Sequence, residues 1–334
     1  YGNGEYKYPA FHKLIENGTI KDFNEVSSWF ADQALVPVTL YGETYALPMT
    51  MSFSMMFYRK DIFVELGIEV PNTWDDFYDI MYSLQSNSLD IGFPQGTGGS
   101  LFLMYQQDEP LYDQGDYDYY TDLFRRYYYE GDYNNINEEQ LAQLDKKIND
   151  MGLTYLDDEG NYIPKTDGMT INLDSDISLA TFKDVCQLFT MYDFPKVYDF
   201  ANRFRSGEMP LAVSDYTSYN TLIIFAPEIN GLWEFTPLPG TADELTQEIN
   251  NVTIGAITAI MLMNSVSDKE DVALGAWAFM QWYLSAEVQS IYGNEMVALL
   301  GPSAKQPTSN MTALQNMAWS TEEYENLFSQ FNND

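Results

Sequence analysis

Only one histidine and one cysteine are available for nucleophilic or metal chemistry in this chain of 334 residues. His12 sits in a polar stretch with no Ser or Cys motif beside it, so neither a Cys–His dyad nor a histidine-rich zinc site can be assembled. Cys186 has no partner for a disulfide. At helical spacing Phe182, Val185, Cys186 and Phe189 fall on one face, which predicts a buried structural thiol. Carboxylates are plentiful, at 50 Asp and Glu. A glycoside hydrolase needs only two of them, roughly 5 to 9 Å apart, so composition alone leaves that chemistry open. No segment, however, brackets a Glu with a strand-end motif. The carboxylates of Tyr155–Tyr162 miss the alternating spacing of an EF-hand, and Gly92–Ser100 lacks the ending of a phosphate loop. The expectation is no catalytic residue, no metal and no cofactor.

What the chain does offer at its turn tips is Tyr, Trp, Asn, Asp and Ser. A sugar presents an apolar ring face and a rim of hydroxyls, which call for aromatic planes and for small polar groups. No catalytic pair is needed for that.

The net charge of −34 repels phosphate backbones and anionic lipid headgroups, excluding nucleic acid and charge-driven membrane adhesion. No apolar run reaches the length of a membrane span. With 45% hydrophobic and 16% aromatic residues the chain is not disordered, and its length suits two domains.

The elements that would position such groups are read from periodicity and punctuation. Gly42-Glu43-Thr44 makes a turn between β-prone runs, and Pro48 is expected to close the second run. Met49–Tyr58 is a long, largely apolar run interrupted by Ser52 and Ser54. A helix over Asp61–Leu66 stops at Gly67. Thr73 to Asp76 has capping-box spacing, and Phe77, Ile80, Met81 and Leu84 give the next helix its buried face. Leu101–Gln107 reads as an aromatic helix, Glu138–Asn149 as a polar one, and Tyr155–Tyr162 as a hairpin turning at Glu159-Gly160. Asp174–Pro195 is helical, and a short buried strand then delivers Asp215 and Tyr216 at its tip. Val252–Met263 is β-prone, Ser267–Glu270 reads as a capping box, and Val272, Ala273, Ala276, Trp277, Met280 and Leu284 line one helical face. Trp319 opens a final acidic helix.

The ordered stretches GETYALP (42–48), FYRKD (57–61) and GIEVPNTWDD (67–76) resemble the extracellular solute-binding proteins of bacterial carbohydrate ABC transporters. That family's pattern is G-K-x-Y-x-L-P, then Y-Y-N-K-D, then G-I-x-x-P-x-T-W-D-E; Glu43 and Arg59 depart from it. PEINGLWEFTPLPG (227–240) and WAFMQWYLSAEVQ (277–289) resemble two later family motifs, and FRSGEMPLAVSDY (204–216) resembles a third more loosely. FHKLIENGTIKDF (11–23) resembles an element that in the family follows a βαβ unit, which the printed sequence does not contain.

The resemblance implies an α/β fold of the type II periplasmic-binding-protein kind. It has two lobes joined by hinge crossings, the first lobe short of its N-terminal strands. The expected division is 1–51 plus 252–298 for the first lobe and 52–251 plus 299–334 for the second, with a Tyr-rich insert near 108–167. Ser52 and Ser54 lie at the first crossing, and Thr97 and Ser100 in the glycine-rich loop. Asp215, Tyr216 and Tyr219 stand where the family carries a sugar-stacking aromatic, and Trp319 is placed to line a cleft. These eight are the expected ligand contacts, and Trp233 is expected to pack in the core. The implied partners are a carbohydrate and the permease subunits of an importer. The implied location is extracellular, at the cell surface through a lipid anchor upstream of residue 1, or periplasmic in a Gram-negative source. A surface or assembly protein that keeps the fold without a transport ligand is the alternative, ahead of a glycoside hydrolase.

Overall fold

A computed structural model describes residues 9–40, 43–94, 112–114, 117–129, 131, 133–156, 160–164, 169–171, 175–242, 247–251, 255–263, 265, 269–305 and 307–331. Two compact units emerge, one from residues 1–108 and 180–334, the other from 109–179.

In the larger unit α1 (Pro9–Glu16), α2 (Phe23–Ser27) and α3 (Asp32–Leu35) precede the hairpin of β1 (Thr39–Leu40) and β2 (Glu43–Thr44). β3 (Leu47–Arg59) follows, and its 13 residues organise the unit. Contrary to expectation it runs through Pro48. The register against its neighbour shifts between Thr258 and Ala259, opposite Thr50 and Pro48, so the missing proline amide falls where the ladder is already irregular. α4 (Lys60–Leu66) ends at Gly67 in the left-handed region, with φ of 65°. α5 (Trp74–Ser86) opens on the predicted box: Asp76 N–H donates to Thr73, and Thr73 N–H donates to Asp76. It buries Phe77, Met81 and Leu84 and leads to β4 (Ile91–Gly92).

The smaller unit pairs β5 (Tyr112–Gln114) with β8 (Met169–Ile171). Between them lie α6 (Tyr117–Tyr128), α7 (Glu138–Asp150) and the hairpin of β6 (Thr154–Leu156) and β7 (Tyr162–Pro164). Its expected turn residue Glu159 lies outside the described residues. Arg125 grips Asp145 with two parallel bonds of 2.7 and 2.6 Å, tying α6 to α7.

α8 (Asp176–Thr190) buries Thr181, Val185 and Leu188 and leaves both Phe182 and Cys186 exposed. The expected apolar face is therefore rotated, and the thiol is not buried. Phe182 misled the reading, because its bulk suggested a core position that Thr181 takes instead. α9 (Phe200–Ser206), β9 (Leu211–Asp215), α10 (Ser218–Phe225), β10 (Trp233–Thr236), the short pair β11 (Thr241–Ala242) and β12 (Ile249–Asn250), and β13 (Gly255–Ile260) continue the larger unit. α11 (Glu270–Leu284), α12 (Ala286–Leu300), α13 (Met311–Gln315) and α14 (Thr321–Phe331) complete it. α11 starts at Glu270 after Lys269, with no side-chain cap; the expected cap Ser267 lies outside the described residues.

The five-stranded sheet has the order β10-β3-β9-β4, with β13 also pairing β3. The C-terminal half of β3 lies antiparallel between β10 and β9, while its N-terminal half pairs with β13. Across from β13, Thr308 bridges Thr50, and Met51 N–H donates to the carbonyl of Pro307 at 2.9 Å. Alternation along β3 sends Met55 and Phe57 into one core, with Phe204, Trp233 and Phe235, and Met56 into a second, with Phe77, Met81 and Val213. Trp233 is buried, as expected.

Candidate functional site

The two faces of the sheet stop being hydrophobic at different heights. On the face that buries Met56 and its partner Val213, the next cross-strand pair is Ser54 and Asp215, followed along β3 by Ser52 opposite Ala256. Period-two alternation therefore turns an apolar face into a half-buried polar stripe within two residues. The stripe sits at the end of β9, beside the parallel strand β4, where open α/β sheets leave a crevice. Asp215 is held by its own turn. Thr217 N–H donates to Oδ1 at 2.9 Å and Thr217 Oγ1 donates to the same oxygen at 2.5 Å. Among the described residues nothing donates to Oδ2, and the hydroxyls of Ser52 and Ser54 make no hydrogen bond. Chemically, a carboxylate oxygen and two hydroxyls of this kind can pair with hydroxyls or amines.

The opposite face carries rings. Tyr216 is 4% exposed, lies 5.0 Å from Phe53, and donates its hydroxyl to the carbonyl of Met51 at 3.4 Å. Burial, and secondarily the charge of Asp215, push its pKa well above the usual value. Tyr219 packs edge-on against Trp233 and Phe235, each at 5.7 Å, and meets Trp319 at the same distance. Burial, then a hydrogen bond to Glu323, raises its phenol as well. Trp319 is half-buried and donates its indole N–H to the Leu314 carbonyl at 3.2 Å.

A residue the sequence reading missed completes this wall. Lys305 is 8% exposed, its Nζ 3.8 Å from the centroid of Trp319 and 4.6 Å from that of Tyr219. It reaches the Tyr219 hydroxyl at 3.5 Å, while its carbonyl accepts from Asn220 Nδ2 at 2.9 Å. Burial pushes its pKa down. The available signal was isolation: Lys305 is the only Lys or Arg after Lys269.

The structure thus gathers Ser52, Ser54 and Asp215 on one side of the sheet, and Tyr216, Tyr219 and Trp319 on the other. Thr97 and Ser100 lie outside the described residues. No group of three His, Cys, Asp or Glu among the described residues could hold a metal ion.

Residues 11–290 match the family model of the bacterial extracellular solute-binding proteins. The chain belongs to this family. Solved structures place this solute-binding protein in the type II periplasmic-binding-protein fold. The sugar-binding protein MalE of Xanthomonas citri is 15% identical with a TM-score of 0.55, over 96% of this chain and 65% of that one. An ABC substrate-binding protein from Listeria monocytogenes, in complex with cycloalternan, gives the same identity and TM-score over 97% and 70%. The lacto-N-biose-binding protein of Bifidobacterium longum is 15% identical with a TM-score of 0.53, over 93% and 64%. A multiple sugar-binding protein of Streptococcus mutans is 32% identical over 65 residues, 20% of this chain and 16% of the relative. The solute-binding protein spans about two thirds of the length of the solved structures it matches, 68% and 62% in two further cases. Among the described residues no helix is long and apolar enough to cross a membrane.

Proposed function

We propose that this protein is the sugar receptor of an ABC importer, capturing a saccharide outside the membrane and presenting it to the permease subunits. The observation that carries the reading is the family match over residues 11–290. The half-buried stripe of Ser52, Ser54 and Asp215 supports it as a surface able to meet a hydroxyl rim. Relatives of the same fold crystallised with cycloalternan and with lacto-N-biose support the ligand class. In this reading β3 is the first crossing between two lobes, 1–51 plus 252–298 and 52–251 plus 299–334. Its N-terminal half would serve one lobe through β13, and its C-terminal half the other through β9 and β10. Closure about that strand would trap the sugar.

A thermal-melt screen against neutral oligosaccharides, with amino acids and peptides as controls, tests the proposal. Ligand at 100 times its dissociation constant adds about 2.7 kcal/mol of stability, so a selective rise in Tm with one saccharide is expected. A cooperative melt that no saccharide moves would sink the receptor reading and favour a surface protein without a transport ligand.

A further inference from the structure

Resting on the receptor reading, we propose that the site rejects acidic saccharides, its ligands being neutral or amine-bearing sugars whose donors reach the open oxygen of Asp215. The argument is one of charge placement. The strands that carry and flank the polar stripe come from stretches without a cation. No Lys or Arg occurs between Lys21 and Arg59, between Lys60 and Arg125, or between Arg205 and Lys269. Those stretches contain all of β4, β9 and β13, and β3 up to its last residue.

Of the cations that border the stretches, all but Lys269 are already engaged. Lys21 binds Glu25, Arg59 binds Asp61, Lys60 binds Glu234, Arg125 binds Asp145 and Arg205 faces Glu228, while Arg203 nearby binds Asp90 and Glu208. Lys269 stands at the start of α11, outside the strands of the stripe. Lys305 comes close through the chain segment that bridges Thr50, but its Nζ is stowed against Trp319 and Tyr219 on the other side of the sheet. Among the described residues, a uronate or sulfate brought to the stripe would therefore meet the Asp215 carboxylate and no guanidinium or ammonium from the strands that carry it. The anion would lose its water and gain no partner there. An unpaired charge of that kind is how a site excludes the wrong partner. The overall charge of −34 adds a long-range repulsion of anionic ligands that salt weakens. An ammonium on the sugar would meet the opposite situation and gain a charge-assisted bond.

The test compares three tetrasaccharide probes by thermal shift and titration calorimetry on the intact chain: cellotetraose, the glucosamine tetramer of chitosan, and tetragalacturonate. Binding of the glucosamine tetramer or cellotetraose, with tetragalacturonate silent, is the expected pattern. Asp215→Asn should weaken the bound tetramer about tenfold while its Tm without ligand stays near that of the parent. Asp215→Lys should admit tetragalacturonate. Tetragalacturonate binding the parent chain as tightly as either other probe overturns the proposal and leaves sugar binding standing. A bound tetramer whose affinity Asp215→Asn does not change also overturns it. If none of the three, nor any saccharide of the wider panel, moves the melt, the receptor reading falls and this inference with it.

Discussion

The two halves of β3 are one strand in two environments. From Met56 to Tyr58 it has a strand on each side and a packed core on each face, and Met55, Met56 and Phe57 are sealed from water. From Leu47 to Phe53 its outer neighbour is β13, whose residues are exposed or half-buried and beside which no further strand lies among the described residues. The helices near the chain's end follow β13. α11 is apolar almost all round, yet Phe279 and Trp282 stand 52% and 57% exposed. Composition does not separate the halves, since both are rich in Met and Phe. Stability is set by how many faces are covered, and among the described residues only one half is covered on all of them.

The contrast can be broken most forcefully at Phe57, which is 0% exposed and touches the rings of Phe200, Trp233 and Phe235. Phe57→Ala should cost about 3–5 kcal/mol, read from the urea midpoint. Arg59→Met comes next. The guanidinium grips Asp61 at 2.9 and 2.7 Å and donates to the carbonyls of Phe204 and Arg205 that end α9. The Phe204 carbonyl keeps the Gly207 N–H, but the Arg205 carbonyl and the Asp61 carboxylate lose this donor, which should cost about 2–3 kcal/mol.

The same variant has a pH signature. Hydrogen bonds from Arg59 hold the Asp61 pKa below its ordinary 3.8. A carboxyl with a depressed folded value contributes stability above the unfolded pKa, and that stability is lost as pH falls through the folded value. The parent should therefore lose stability below about pH 4 more steeply than Arg59→Met, in urea titrations at stepped pH.

Gly92→Ala sharpens the comparison at the β4–β9 junction, where a Cβ would lie 2.7 Å from Ala212 Cβ and 2.9 Å from Met209 Sδ. A loss of about 1–3 kcal/mol is expected. Ala256→Lys on exposed β13 should change stability by no more than about 0.5 kcal/mol. A cost near that of Phe57→Ala would show that β13 is covered after all.

Local grammar was legible wherever a residue acts through its own backbone. Thr73 with Asp76, Gly67 and the polar helix starting at Glu138 all carry their signal within a few positions, and the structure has them. The family motifs gave the fold, because their order survives even where spacing drifts. Reading failed where a distant element decides. Pro48 stays in its strand only because a bulge in β13 meets it, and that pairing spans some two hundred residues of sequence. Cys186 follows the facing of α8, which Val185 and Leu188 set into the core beside the sheet. The division of the expected contacts between two faces was unreadable as well. Asp215 and Tyr216 are adjacent in sequence, yet strand alternation sends them to opposite sides. Lys305 lies in the stretch 299–308, which takes the place of the family's L-P-x-R return loop, and only its packing under Trp319 shows where its charge went.

The margin of β13, with no strand beside it among the described residues, has a consequence for how the molecule behaves in a crowd of its own copies. A strand margin without a paired strand among the described residues, set near exposed Met261 and Met263, is a template on which a neighbour's strand can dock. Mutual repulsion between molecules of charge −34 holds such encounters off. That guard extends about 10 Å into 0.1 M salt but only about 3 Å into 1 M. Concentrated electrolyte, rather than heat, should then be what first turns a clear solution of this protein turbid.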